Sequence, residues 1–399
     1  MNNRCVVIGA GTVGLVTALG LAKAGFSVMV LERESGPTAT PRDMVYHWCV
    51  LPALANLGIL DAMIEAGLVS TDVTVHVPST GELLRFDMSA LDGEVAHPFD
   101  LHLSQRAMTD IITAQIAALS SVQVEWGVEV TDLVQDRGGV TLAARDANGP
   151  RDHRADWVIG ADGSRSVVRR QLGLGFAGTT WARRFVSTDL RFDFRALGHA
   201  AASVLVDPEL GAIIAEVDRT GLWRYTCAES RMLPEDTVPD RLRAVLERVL
   251  PAGANPTPEG TLPYRTHQRS AQRFRVGRTL LVGDAAHLTS PTRGFGMLSG
   301  LFDAVSLVEG LSAVALLGAP DEVLERYSAM RRRNFWDFTS PASVEMMEFV
   351  FSAGDPGRLD DRLASYRRMA ADRPSAREYF LQYRDCQSPS LLDPAPSTN

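Results

Sequence analysis

Residues 6–14 read Val-Val-Ile-Gly-Ala-Gly-Thr-Val-Gly and residues 28–32 read Val-Met-Val-Leu-Glu, with an apolar, helix-forming stretch between them. The order is a short apolar strand, a G-x-G-x-x-G turn, a helix and a second strand that ends in an acid. That succession is the βαβ fingerprint of a dinucleotide-binding fold. Gly9 permits the tight turn, Gly11 lets backbone approach a pyrophosphate, and Gly14 lets helix and strand pack closely. The helix N-terminus turns unpaired N–H groups and the positive end of its dipole toward the phosphates. Glu32, 18 residues after Gly14, is placed to accept hydrogen bonds from a ribose. The fingerprint alone does not separate NAD from FAD.

The rest of the chain bounds the answer. It has 399 residues, 45% apolar and 22% charged, with a net charge of −8. This is the balance of a globular enzyme of two or three domains. The acidic surplus argues against nucleic acid as a main partner, because phosphate binding needs a basic surface. No run approaches 18 consecutive apolar residues, so no membrane partner is expected. The N-terminus enters a core strand without a basic-then-apolar leader, and a cytoplasmic location is the expectation. Cys5, Cys49, Cys227 and Cys386 are scattered, with no C-x-x-C, and read as free thiols. No metal site is expected.

The first 70 residues alternate strand and helix. Thr38–Arg42, rich in Pro and Thr, reads as a loop. Residues 104–119 have helical spacing with Ser104 as cap. Residues 122–130 and 139–145 read as strands, and 157–163 as an apolar strand running into a turn. From 176 to 268 the texture changes to alternating segments at 185–194, 202–206, 212–217 and 223–227, an antiparallel sheet with one helix over 235–250. Residues 279–284 return to a buried strand. The expected fold is therefore α/β plus β. A Rossmann-like, discontinuous dinucleotide domain (1–175 and 269–300) holds an inserted antiparallel-sheet substrate domain (176–268). Helices of 301–385 pack on the first domain, and 386–399 are expected to form a disordered tail.

Two further motifs narrow the cofactor. Residues 160–169 read Gly-Ala-Asp-Gly-Ser-Arg-Ser-Val-Val-Arg, and 283–287 read Gly-Asp-Ala-Ala-His, continued by Pro-Thr-Arg-Gly-Phe-Gly-Met over 291–297. With the fingerprint, in this order, they make the chain resemble the single-component flavin monooxygenases that hydroxylate aromatic rings, the p-hydroxybenzoate hydroxylase-like family. The resemblance covers residues 4–340. It implies FAD as cofactor, held by Gly9, Gly11, Gly14 and Glu32 with the adjoining Arg33. It puts Asp284 on the ribityl chain, and Pro291, Gly294, Gly296 and Met297 in a loop against the isoalloxazine, whose backbone N–H groups can stabilise charge on the reduced ring. The Asp162-Gly163 turn becomes an anchor near the pyrophosphate that also bears on NAD(P)H use. Arg42 is carried over as an arginine over the pyrophosphate, and Gln105 as a glutamine touching the ribityl region; solvated surface residues are the plain alternative for both. The chain departs from the family at Leu298, where Asn is frequent, at Arg293 and Phe295, where Gly and Gln are common, and at Asp43, where Ala or Ser is usual.

The chemistry implied is reduction of FAD by NADPH or NADH, reaction with O2 to a C4a-hydroperoxide, and transfer of one oxygen atom to a small phenolic or heteroaromatic substrate. The protein's tasks are to position the ring, exclude water and promote phenol ionisation. The pocket is expected between the inserted sheet and the flavin, near Pro291. Trp223-Arg224-Tyr225 is a candidate wall, with Arg224 facing opposite to its neighbours. Tyr225 or Arg224 is a candidate contact for a phenol or carboxylate, against sheet packing as the alternative. His47 is a third candidate, with a structural role equally open. No spacing singles out a catalytic base. A natural-product oxygenase, an epoxidase or a flavin reductase on the same scaffold would share these motifs. A non-catalytic relative would lose the Gly-Asp motif or the flavin-facing glycines, and both are present. Apolar helices within 300–385 can serve a homodimer, although packing on the FAD domain is simpler.

Overall fold

A computed structural model describes residues 3–37, 44–254, 256–351 and 356–393. Strand β1 (Arg4–Ile8), helix α1 (Thr12–Ala24) and strand β2 (Ser27–Glu32) form the βαβ unit that the glycine pattern predicts. They belong to a six-stranded sheet in the order Arg275–Val276, Thr279–Leu281, Trp157–Gly160, β1, β2, Val122–Trp126. All pairs but the short first one are parallel. Strands covered on both faces must be apolar along their whole length, which explains the run Cys5-Val6-Val7-Ile8, buried throughout.

This strand order decides where the chemistry lies. The first motif follows β1, the second follows Trp157–Gly160, and the third follows Thr279–Leu281. These are three neighbouring strands, so three motifs far apart in sequence emerge side by side at one carboxyl edge, where open parallel sheets bind their ligands.

The 23-residue helix Phe295–Leu317 reaches a mean hydropathy of 1.7, long and apolar enough to cross a membrane. Here it is a core helix, apolar all round because it is covered on most sides. It lies on α1 so closely that a Cβ at Gly20 would stand 2.9 Å from Val308, and one at Gly300 2.8 Å from Val13.

A second, eight-stranded sheet runs in the order His287–Leu288, Pro258–Ala271, Phe176–Arg191, Leu222–Ser230, Ala212–Glu216, Ala202–Leu205, Asp72–Val77, Glu82–Asp87. The last two strands come from the N-terminal part and join through a parallel pairing with Ala202–Leu205. This differs from the expected division, in which residues 176–268 alone built the sheet. The Val73, Val75, Val77 alternation marks a strand, but only tertiary structure assigns it to a sheet. The helix Val238–Val249 packs Val238, Leu242 and Leu246 on one sheet face, against Ile214, Trp223 and Tyr225. The opposite face carries Phe185, Ile213 and Ala228 toward the main core.

The C-terminal helices Glu322–Asn334, Ser340–Phe351, Pro356–Ala371 and Arg373–Leu381 follow. The expected disordered tail is corrected for residues 386–393. Cys386 and Leu391 are fully buried, and the Glu309 carboxylate accepts the Leu391 N–H at 3.0 Å and the Ser390 hydroxyl. A Pro- and Ser-rich composition concealed two burying residues. Residues 394–399 lie outside the described residues.

Candidate active site

The glycines of the first turn divide their labour. Gly9 has φ +107°, and a Cβ there would stand 2.4 Å from the Ala161 carbonyl oxygen; one at Gly14 would stand 2.1 Å from the Gly9 carbonyl oxygen. These two serve close packing. A Cβ at Gly11 would meet nothing within 4 Å. Gly11 therefore opens on free space at the start of α1, whose N-terminus has no side-chain cap and no acid in its first turn. Orphan N–H groups facing an open cradle suit a pyrophosphate. Glu32 stands beside it. Its carboxylate accepts the Ala10 N–H at 2.7 Å and the Glu34 N–H at 2.9 Å. Two backbone donors fix it and leave lone pairs for ribose hydroxyls. Arg33 is exposed and ion-paired with Glu34 at 3.1 Å; it borders a polar groove shared with Gly127, Glu129 and Arg145.

In the second motif, Asp162 Oδ2 caps the helix Val167–Gln171, accepting the N–H groups of Val167 at 2.6 Å and Val168 at 3.1 Å. Its Oδ1 is buried without a hydrogen-bond partner, and burial pushes the carboxyl above its usual range. Gly163 takes the left-handed conformation of the turn, φ +75°. Arg169 then donates to the carbonyls of Ser164 and Ala285, each at 2.8 Å, and so ties the second motif to the third.

The third motif rests on a fully buried charge network. Asp303, from the long apolar helix, accepts the Gly283 N–H at 3.0 Å and meets His287 Nε2 at 2.7 Å and Arg331 Nε at 2.7 Å. Arg331 also donates to the carbonyls of Ser299 and Cys386, each at 2.9 Å, and to the Ser388 hydroxyl at 3.0 Å. Burial works to raise the Asp303 carboxyl, but His287 and Arg331 outweigh it and hold it below the usual range. Asp284 stands exposed on the turn set by this network, within electrostatic reach of Arg169. The sequence reading passed over Asp303 and Arg331. The signal was an acid in the first half of an apolar helix, which is tolerated in a buried position only when paired.

The turn Pro291–Arg293 leads through Gly294, φ +67°, into the helix that begins at Phe295. Ser290 and Thr292 hydroxyls bond to each other at 2.9 Å, and Thr292 donates to the Ser343 carbonyl at 2.9 Å. Pro291 and Gly296 are half-buried and Met297 is buried. His47 Nδ1 meets Asp100 at 2.8 Å, and its Nε2 donates to the Arg293 carbonyl at 2.8 Å. Both ring nitrogens are thus committed to the protein. His47 holds the Pro291–Gly294 loop, and with no ring nitrogen left over it is corrected as a candidate for acting on substrate. Gln105 opens the helix Gln105–Ala117, capped by Ser104, and is half-buried. Arg42 lies outside the described residues.

Tyr225 and Arg224 are also corrected. Tyr225 is fully buried with Trp223 under the helix Val238–Val249, its hydroxyl donating to the Leu210 carbonyl at 3.3 Å. Alternation separates the two faces of the strand, but it does not say which one the helix covers. Arg224 lies on the other face, shared with Ala228, where Asp189 holds it by two bonds at 2.7 and 2.8 Å. Tyr225→Phe is accordingly expected to leave kcat/KM unchanged and to lower stability by roughly 0.5–1.5 kcal/mol, the worth of one ordinary hydrogen bond. Steady-state kinetics beside a denaturation curve check it, and a selective fall in kcat would return Tyr225 to the site.

The FAD binding domain family matches residues 3–342. The chain is 38% identical over 373 residues to 6-hydroxy-3-succinoylpyridine 3-monooxygenase HspB of Pseudomonas putida (strain DSM 28022 / S16), covering 93% of this chain and 95% of that one. It is 36% identical over 382 residues to para-nitrophenol 4-monooxygenase of Pseudomonas sp. (strain WBC-3), covering 94% of each. Its structure is similar to the crystal structure of p-nitrophenol 4-monooxygenase PnpA from Pseudomonas putida DLL-E4, with TM-score 0.92, 36% identity and coverage of 96% of this chain and 97% of that one. It is also similar to aklavinone-11 hydroxylase in complex with FAD and aklavinone, with TM-score 0.79, 26% identity and coverage of 88% and 69%.

Proposed function

The chain belongs to the FAD binding domain family, and from that membership we propose that it is an NAD(P)H-consuming monooxygenase that places one oxygen atom of O2 on a small phenolic or heteroaromatic ring. The observation that carries this reading is the convergence of three motifs at the ends of adjacent strands, with an open cradle at Gly11 and a held carboxylate at Glu32. The nearly full-length relatives named above are monooxygenases of a hydroxypyridine and of p-nitrophenol, both small aromatics.

Bound FAD would supply the redox chemistry, taking electrons from the nicotinamide and activating O2. The chain's own residues do the rest. The α1 N-terminus and Gly11 hold the pyrophosphate, and Glu32 orients the ribose. Asp303, acting through the Gly283 N–H, fixes the turn that presents Asp284 to the ribityl chain. His47, through the Arg293 carbonyl, and Ser343, through Thr292, lock the loop that lies along the ring. The sheet face bearing Phe185 and Ile213 packs against the core on this side of the molecule and would help exclude water from the bound ring.

The test is anaerobic reduction of the purified holoenzyme by NADH and by NADPH, with and without p-nitrophenol, 6-hydroxy-3-succinoylpyridine and related phenols and hydroxypyridines. Flavin should copurify, a cognate ring should accelerate its reduction, and aerobic turnover in labelled O2 should put one labelled atom in the product. Reduction indifferent to every ring would favour a flavin reductase, and a folded protein without flavin would sink the proposal.

A further inference from the structure

Of the arginines buried among the described residues, Arg184 has Glu229, Arg275 has Asp321 and Arg331 has Asp303, while Arg169 spends its guanidinium on the backbone carbonyls of Ser164 and Ala285. Arg293 differs. Its guanidinium carbon stands 4.9 Å from the ring centre of Tyr379, 5.1 Å from Phe295 and 5.2 Å from Tyr383. Its Nε is buried with no hydrogen-bond partner. The groups that act on its charge are the phenols of Tyr379, Tyr383 and Tyr366; burial pushes those of Tyr366 and Tyr383 up, so they stay neutral. Among the described residues no carboxylate pairs with it.

A desolvated cation without a counter-ion is expensive to keep. Aromatic faces offset part of that cost, and the Tyr379 hydroxyl takes one donor, but the Nε donor stays unused. Arg293 also sits in the third-motif loop itself, at the end of the Pro291 turn and just before Gly294, with its carbonyl held by His47. The planes of Phe295, Tyr379 and Tyr383 around it suit a flat ring. Resting on the aromatic-hydroxylase reading, we propose that Arg293 sets substrate specificity by binding a planar oxyanion, a carboxylate or an ionised phenol, carried by the aromatic substrate. Arg224, a cation on the sheet face bearing Phe185, is already neutralised by Asp189. Tyr379 takes one donor of the Arg293 guanidinium, while Nε has no partner, so an edge of the fork can pair with an oxyanion, which a carboxylate fits best.

The test is titration of the holoenzyme, followed through the flavin spectrum, with matched probes. One pair is 4-hydroxybenzoate and 4-hydroxybenzamide, which isolates the carboxylate. The other is p-nitrophenol below and above its own ionisation, which isolates the phenolate. The wild type should favour the anionic member of one pair by roughly 10–100-fold, the worth of one charge-assisted contact. Arg293→Met should erase that preference while binding the neutral member as before and retaining FAD, and Arg293→Lys should keep part of it. A wild type without preference in either pair overturns the proposal. So does equal loss of both members in Arg293→Met, the mark of a packing role, or a shifted flavin potential with unchanged affinities. If Arg293→Met fails to fold, the wild-type pairs and Arg293→Lys still decide. Failure of the hydroxylase reading would look different: no bound flavin, or no turnover of any ring, charged or neutral.

Discussion

Asp303→Asn is expected to lower stability by roughly 3–5 kcal/mol and to strip the protein of flavin. The substitution keeps the shape and removes the charge. Arg331, fully buried, is then left uncompensated, and breaking one side of a buried ion pair costs about that much. Geometry adds to the loss. Asp303 accepts from three donors, the Gly283 N–H, His287 Nε2 and Arg331 Nε. An asparagine has one acceptor oxygen and a donor NH2, so at least one donor faces another donor. Against a total stability of about 5–15 kcal/mol this is a large share. Because Gly283 precedes Asp284 directly, the turn that presents it should loosen first. Urea denaturation followed by flavin fluorescence and by far-ultraviolet circular dichroism should show flavin leaving before the backbone unfolds. The double variant Asp303→Leu with Arg331→Met should be more stable than either single one, since no charge is left stranded. A holoenzyme of Asp303→Asn within about 1 kcal/mol of wild type would contradict this account.

Gly11→Val and Gly14→Ala should fail in opposite ways. Gly11 has ordinary backbone angles, φ −71° and ψ 172°, and its Cβ meets nothing within 4 Å. A valine there costs the fold little but fills the space the pyrophosphate needs. FAD affinity should fall on the order of a thousandfold, about 4 kcal/mol, while the apoprotein melts where wild-type apoprotein melts. At Gly14 even one methyl would lie 2.1 Å from the Gly9 carbonyl oxygen. Backbone must move to admit it, so the apoprotein itself should be destabilised. Flavin-to-protein absorbance ratios, with melting curves on apoproteins, separate the outcomes. Both must be compared without FAD, because bound cofactor raises the apparent stability of the wild type alone.

Much of the cofactor site was legible because it is local. Three glycines and an acid specify the first turn, and the second and third motifs are short contiguous runs. Less local features escaped. Asp303 and Arg331 lie on different helices, and their pairing exists only after those helices pack. Which face of Leu222–Ser230 is covered depends on where the helix Val238–Val249 docks, which a period of two residues does not encode. The strands Asp72–Val77 and Glu82–Asp87 carry a clear alternation, yet their hairpin joins the sheet only through the pairing of Asp72–Val77 with residues more than a hundred positions later. Arg293 was noticed as a departure from the family, but its lack of a carboxylate could be seen only once its neighbours were placed.

The Cys386 carbonyl and Ser388 hydroxyl that complete the Arg331 network come from nearly the last described residues, whereas the turn at Gly9–Gly14 is among the first. During synthesis at about 5–20 residues per second, the dinucleotide turn leaves the ribosome tens of seconds before the segment that finishes the opposite side of the same cleft. Until then Arg331 lacks two of its partners and Leu391 is missing from its seat on Gly310. A nascent chain can therefore make its βαβ unit early, but the floor beneath the Gly-Asp motif is sealed only once residues 386–391 have been made.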